Sequence, residues 1–143
     1  MADDETNESA DALTISPEKA FFIIVKAREF DEQVAPSDLD SGSNPADDRE
    51  VDVLEEHADN PVVQELQAAI VRLNIDEQLD LLALTWFGRG DFDTFAEARQ
   101  EAEGLEDVHA ARYLIGTPLL GDYLDEGLSS LGISLEDFEL NRL

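Results

Sequence analysis

A glutamate and a histidine in this sequence have the spacing of metal ligands. Glu106 and His109 are three positions apart, so on a helix they would share a face, as in one half of a carboxylate-bridged di-iron site. A complete centre of that kind needs two such pairs and two further glutamates. The other histidine, His57, has Leu54 at the corresponding offset. We therefore predict no metal ion and no other cofactor.

Two aspartate pairs begin like the calcium-binding loop of an EF-hand. In the loop that would start at Asp38, the sixth position is Ser43 where glycine is required, and the twelfth is Arg49 where glutamate is required. The loop that would start at Asp91 lacks the same two residues. We expect only weak, non-specific binding of Mg²⁺ or Ca²⁺ to the acidic surface.

No residue pattern indicates nucleophilic catalysis. The sequence has no cysteine, and none of its serines lies in the Gly-x-Ser-x-Gly pattern of a nucleophile elbow. A pair of carboxylates suited to acid–base catalysis can be found in any chain with 35 aspartates and glutamates, so such a pair carries no information here. The sequence favours a protein that is not an enzyme.

Two glycine-containing stretches are candidates for ligand contacts. Gly88-Arg89-Gly90 has neither the Walker pattern nor the dinucleotide fingerprint, and we interpret its glycines as the end of a helix. The second stretch, residues 116–128, could line a groove for a peptide or small ligand, with Tyr123 and the nearby Arg112 as polar contacts.

Tight packing explains the second stretch equally simply, and we favour it. Gly116 would end one helix, Thr117 would cap the next, and Gly127 would let another helix approach the bare backbone. Glycine within a helix costs about 1 kcal/mol relative to alanine, so a close crossing is the natural compensation. The candidate partner or ligand contacts from both stretches are Arg89, Arg112, Gly116, Tyr123 and Gly127.

The elements that must position these residues are predicted to be helices. A capping residue precedes a proline at Ser16, Asn44, Asn60 and Thr117, which is typical of a helix start. Asn74 with Glu77 resembles a capping box. With the apolar spacing, these starts predict helices over residues 17–34, 45–58, 61–73, 75–87, 94–102, 106–115 and 118–131. The helix over 75–87 is apolar on most sides, so we place it in the core.

The predicted architecture is all-α: a compact bundle of about six or seven short helices in a single domain, residues 14–133. Residues 1–13 form an acidic, disordered N-terminal tail, residues 35–43 a flexible loop, and residues 134–143 a short C-terminal turn or tail. The chain of 143 residues with 43% hydrophobic residues is long and apolar enough to bury a core of this size.

The charge of the chain limits its partners. The net charge is −26, and acidic residues outnumber basic ones in both halves of the sequence. Such a surface repels nucleic acid and anionic membranes and attracts basic proteins, although solubility or salt adaptation would explain the same composition. Residues 1–11 lack the pattern of a secretory signal, and the longest apolar run, residues 20–25, is far too short to cross a membrane. We expect a cytoplasmic protein; the sequence leaves its oligomeric state open.

Three stretches resemble a known family. They are ISPEKAFFIIVKAREF at residues 15–30, LTWFGRGDF at 84–92 and RYLIGTPLLGDYLDEGL at 112–128. Together they are similar to short acidic proteins, chiefly from alphaproteobacteria, of the domain of unknown function 3775. The resemblance covers residues 15–131 and implies a bacterial cytoplasmic protein, but it supplies no catalytic residues.

From the residues themselves we expect a non-enzymatic module that binds a basic protein partner. The most specific version of this hypothesis is a mimic of nucleic acid or an inhibitor of a nucleic-acid-binding protein. The alternative is a small-ligand-binding domain or an enzyme with a pocket around Gly116 and Leu128.

Overall fold

Six helices account for most of the described residues, which are 10–34, 55–105 and 109–136 of a computed structural model; no strand occurs among them. This confirms the predicted all-α fold. A 3-10 turn, Ala10–Ala12, precedes the first helix. The helices are α1 (Pro17–Gln33), α2 (Pro61–Val71), α3 (Ile75–Arg89), α4 (Phe95–Glu103), α5 (Ala110–Ile115) and α6 (Leu120–Ser130).

The predicted caps begin three of these helices. The Ser16 side chain accepts a hydrogen bond from the backbone N–H of Lys19, and the Asn60 side chain accepts one from that of Val62. Asn74 forms the complete capping box, in which the Glu77 carboxylate in turn accepts from the Asn74 backbone N–H at 2.9 Å. Each bond satisfies a backbone donor that the first helical turn leaves unpaired. The predicted start at Asn44, with most of the helix over 45–58, lies outside the described residues.

The predicted start at Thr117 is wrong. The Thr117 hydroxyl donates to the carbonyl of Tyr113 at 2.8 Å, so it closes the end of α5 and does not cap the next helix. Leu119 then adopts a left-handed backbone conformation, with φ 63° and ψ 28°, and α6 begins only at Leu120. A residue with left-handed backbone angles cannot continue a right-handed helix, so Leu119 interrupts the helical path at this point.

Gly88 does not end α3 as predicted. The helix continues to Arg89, and Gly90 ends it with a φ of 94°, a conformation that suits glycine because it has no Cβ. The backbone N–H of Gly90 donates to the carbonyl of Phe87 at 3.1 Å, which completes the last turn.

Helix α3 is central, as predicted. It packs against α4, α5 and α6, and every residue from Leu79 to Thr85 is buried. Around it, α1 packs against both α2 and α6, and α2 packs against α5. Ile75, predicted on the buried face of α3, is the first residue of the helix and is 56% exposed.

Helix α1 buries two adjoining stripes because it packs against two neighbours. The predicted stripe of Ala20, Ile23, Ala27, Phe30 and Val34 is buried throughout. Residues 21 and 24 are buried as well, which leaves the remaining side of the helix to solvent.

The ends of the predicted domain are partly described. The predicted tail over residues 1–13 overlaps the 3-10 turn, and Leu13 packs against the core. The predicted loop over 35–43 and residues 137–143 lie outside the described residues. Helix α5 begins at Ala110, whereas the prediction began it at Glu106, which also lies outside them.

Candidate functional site

An arginine among aromatic side chains lies at the C-terminal end of α3. The guanidinium of Arg89 donates from Nε to the Asp91 carboxylate at 2.9 Å and from Nη2 to the Tyr113 hydroxyl at 3.3 Å. Its Cζ is 5.8 Å from the centre of the Tyr123 ring, within reach of a cation–π contact. The helices α3, α5 and α6 therefore each contribute a side chain to one cluster.

The Tyr113 hydroxyl is the hydrogen-bonding centre of this cluster. It accepts from Nε1 of Trp86 at 3.1 Å and from Arg89. A phenol oxygen has two lone pairs and one proton. With both lone pairs engaged, the hydroxyl proton is the group that this oxygen can still offer to an acceptor.

The aromatic rings of the cluster are partly exposed. The Trp86 ring lies 6.1 Å from that of Phe92 and 6.5 Å from that of Tyr113, the latter edge to face at 75°. Aromatic rings prefer such offset and edge-to-face arrangements at these separations. The arrangement leaves an amphipathic surface that could contact a flat ligand or a partner side chain.

Arg89 remains positively charged, and the Asp91 carboxylate balances its charge. Burial lowers the pKa of the guanidinium, yet its hydrogen bonds to Asp91 and Tyr113 outweigh that effect and raise the pKa overall. The paired carboxylate means that the cluster presents little net positive charge to an anion.

The structure brings only some of the predicted contact residues together. Arg89 and Tyr123 meet in the cluster. Arg112 instead lines an open cavity of about 260 Å³ between α2 and α5, beside His109 and Gln67. Gly116 is buried at the end of α5.

Trp86 and Tyr113 belong to the cluster but are not among the contact residues predicted from the sequence. One signal was available for Trp86, which precedes Arg89 by three positions and so shares a helix face with it. Tyr113 is 27 residues from Trp86 in sequence, and their contact depends on how α5 packs against α3.

Gly127 lies at a helix crossing, as predicted. A Cβ on Gly127 would lie 2.7 Å from the carbonyl oxygen of Leu84 in α3, and one on Gly88 would overlap the carbonyl oxygen of Tyr123 in α6. On the side of α6 that faces α1, a Cβ on Gly121 would lie 2.8 Å from Cγ of Arg28. Neighbouring helices thus fill the space beside these glycines that a ligand groove would need.

A second polar centre ties the N-terminal segment to the core. The carboxylate of Asp80, on α3, accepts from the backbone N–H groups of Thr14 and Ile15 at 2.6 and 3.0 Å. Its other oxygen accepts from Nε of Arg99 at 2.8 Å. The Asp80 side chain is 1% exposed, so these bonds compensate for its removal from water. All its oxygens are engaged within the chain, which assigns it a structural role.

The basic side chains are largely engaged by the chain's own carboxylates. Of the seven lysines and arginines among the described residues, five form ion pairs within the chain. These pairs are Lys19 with Glu77, Lys26 with Glu29 and Glu65, Arg28 with Asp122 and Asp125, Arg89 with Asp91, and Arg99 with Asp76, Asp80 and Glu103. The surface that remains is dominated by carboxylates.

The two histidines lie apart from these centres. His57 packs edge to face on Phe30, with ring centres 5.0 Å apart, and His109 precedes α5. Within the described ranges, no three histidine, aspartate or glutamate side chains converge in a way that could hold a metal ion. Nor does any helix there combine the length and apolarity needed to cross a membrane.

Comparison with known proteins supports the resemblance drawn from the sequence. The model of the family described as a protein of unknown function, DUF3775, matches residues 63–133. The match contains two of the stretches that carry the resemblance, 84–92 and 112–128, whereas the first, 15–30, lies outside it. The cluster around Arg89 falls wholly within the matched residues. The comparisons with curated proteins and with solved structures find no match.

Proposed function

We propose that this chain, which resembles a family without an assigned activity, is a non-enzymatic acidic module of the bacterial cytoplasm that binds a basic protein partner. The observation that carries the proposal is that most of the described basic side chains are paired within the chain, while the net charge is strongly negative. The net charge is −26, and five of the seven basic side chains in the described residues are held in ion pairs with the chain's own carboxylates. The excess of negative charge therefore remains at the surface.

A field of this sign favours encounter with a basic protein. Carboxylates spread over the surface attract lysine- and arginine-rich faces over roughly the screening distance, about 8 Å at physiological ionic strength. Mimicry of nucleic acid is the sharpest form of this function, because a DNA-binding protein presents such a face to phosphates.

The test is capture of partners from the native cell at low salt. We expect the captured proteins to be enriched in basic ones and to dissociate as salt rises, because screening weakens interactions between exposed charges. If the chain is a mimic, added duplex DNA should displace it from its partner. A captured set without a basic bias, or binding that does not respond to salt, would contradict the proposal.

The cluster around Tyr113 supports a second candidate function, the binding of a small ligand with a hydrogen-bond acceptor. The acceptor would take the proton of the Tyr113 hydroxyl, and the rings of Trp86 and Phe92 would contact the ligand's flat surface. This candidate site differs from the alternative predicted from the sequence, a pocket around Gly116 and Leu128, and shares Tyr123 with it.

Trp86 makes this candidate easy to test, since it is the only tryptophan in the chain. A library of small aromatic acids and amides would be screened by tryptophan fluorescence with the parent protein and with Tyr113→Phe. A ligand of this site should change the fluorescence of the parent and bind the variant more weakly. Equal binding to both proteins would exclude the hydroxyl as the recognition group.

A further inference from the structure

One face of α1 is solvent-exposed and carries two apolar side chains among glutamates. Phe22 and Val25 are 47% and 42% exposed, and Glu18, Glu29 and Glu32 are exposed as well. These five residues follow one another at spacings of three or four, so they form a single stripe along the helix. We call this stripe the outer face of α1.

Ion pairs border the outer face on both sides. On one side, Lys26 pairs with Glu65 of α2 and, at 3.5 Å, with Glu29 of the outer face itself, and its Nζ lies 5.8 Å from the centre of the Phe22 ring. On the other side, Arg28 pairs with Asp122 and Asp125 of α6. The cations next to the apolar pair are therefore already held by carboxylates, and the further charges along the stripe are negative.

We propose that the outer face of α1 is the docking surface for a basic segment of a protein partner, one that carries apolar residues between its lysines or arginines. The inference rests on the proposed function and names the surface that performs it. The apolar residues of the partner would pack on Phe22 and Val25, while its cations would pair with the glutamates that flank them along the helix.

Charge complementarity selects this occupant. A second copy of the chain would bring another net charge of −26 against the glutamates of the face, whereas a basic segment would neutralise them. The apolar pair supplies the part of the affinity that salt does not screen, because burial of apolar area is not electrostatic.

The experiment uses two synthetic peptides and the full chain. One peptide is lysine-rich and carries two leucines that share one helix face; the other has serines in place of the leucines. The variants are Phe22→Ser with Val25→Ser, and, as a matched control, Val71→Ser with Ile75→Ser. The control removes two apolar side chains that are even more exposed, at 61% and 56%, from a different part of the surface.

We expect the leucine peptide to bind the parent more tightly than the serine peptide. The α1 variant should lose about tenfold or more in affinity for the leucine peptide, as removal of a buried aromatic contact does, while the control variant stays within about twofold. Affinity for the serine peptide should be the same for all three proteins. Circular dichroism checks that the variants, altered only at exposed positions, remain folded.

A charge series gives a second measurement. Glu29→Gln with Glu32→Gln should weaken both peptides more than Glu101→Gln with Glu103→Gln, which lowers the net charge equally but on α4 and also removes one glutamate paired with a cation of its own helix, as Glu29 is with Lys26. Equal effects of the two pairs would mean that the diffuse field, and not this face, attracts the peptide.

The outcomes separate the two proposals. Binding of both peptides without dependence on Phe22 would overturn the docking surface and leave the basic partner in place. Failure of both peptides to bind the parent would overturn the function and the surface together. Self-association of the parent in sedimentation that disappears in the α1 variant would make this face an interface between copies of the chain, which also contradicts the basic occupant.

Discussion

The Cα of Gly127 lies so close to Leu84 that a Cβ at residue 127 would be 2.7 Å from the Leu84 carbonyl oxygen and 3.3 Å from one of its methyl groups. This contact joins α6 to the central helix α3. Because one of the atoms in contact belongs to the backbone of a helix, it cannot move aside as the end of a flexible side chain could.

Replacement of Gly127 should therefore destabilise the protein. Gly127→Ala gains about 1 kcal/mol of helix propensity but overpacks the crossing, which typically costs 1–3 kcal/mol, so we expect a net loss or near cancellation. Gly127→Leu should be clearly destabilised. Gly104→Ala is the control, since its Cβ would meet nothing closer than 3.5 Å. Thermal unfolding measures all three; a Gly127→Leu protein that melts above the parent would contradict the packed crossing.

Two aspartates that bind the same arginine should differ widely in their contribution to stability. Asp80 and Asp76 both accept from Arg99, but their side chains are 1% and 63% exposed. Asp80→Ala removes one of the three carboxylates that hold Arg99 and leaves the backbone N–H groups of Thr14 and Ile15 without their acceptor, so it should cost about 2–4 kcal/mol. Asp76→Ala should cost about 1 kcal/mol or less. Urea denaturation measures the difference, and similar losses would refute the structural role of Asp80.

Stability should respond to pH through Asp31. Burial and the nearby charge of Asp122 raise the pKa of the Asp31 carboxyl from 3.8 to about 6, against the opposing effects of a hydrogen bond with the Leu119 backbone and the charge of Arg28. The folded protein thus binds a proton more readily than the unfolded chain, so this group's contribution falls as the pH rises from about 4 through 6.

Asp31→Asn should remove that dependence. At pH 7 we expect the variant to be about 1–2 kcal/mol more stable than the parent, with the gain disappearing near pH 4. Glu32→Gln, which removes one charge from the adjacent exposed position, controls for the lower net charge. Unfolding by urea across this pH range is the measurement. Parallel profiles for the two variants would show that net charge alone is responsible.

The capping box at the start of α3 should make a measurable contribution to the free energy of unfolding. Asn74→Ala removes the acceptor for the Glu77 backbone N–H and should cost about 1 kcal/mol. Asn74→Ser retains a cap and should recover most of that loss. The same box lowers the pKa of Glu77, first through the Asn74 backbone N–H and then through Lys19. The contribution of the ionised Glu77 carboxylate to stability is therefore present at neutral pH and is lost as the pH falls through its lowered pKa.

The sequence by itself determined the helices whose starts depend on neighbouring residues. The caps at Ser16, Asn60 and Asn74 act within three residues, so side-chain type and spacing were sufficient to predict them. The stripe of α1 and the central position of α3 followed from apolar periodicity, which reports how many sides of a helix must be buried. Even the crossing at Gly127 could be predicted, because a glycine on an apolar helix face needs a reason in packing.

The tertiary structure alone decided which residues from different helices meet. Thr117 had the local pattern of a cap, yet its hydroxyl bonds to Tyr113, and the left-handed Leu119 delays α6. Gly88 had the local pattern of a helix terminator, but α6 packs so closely against α3 at this position that a side chain would not fit. The contact of Tyr113 with Trp86 joins residues far apart in the chain. Such contacts depend on the relative placement of whole helices, which no short stretch of sequence encodes.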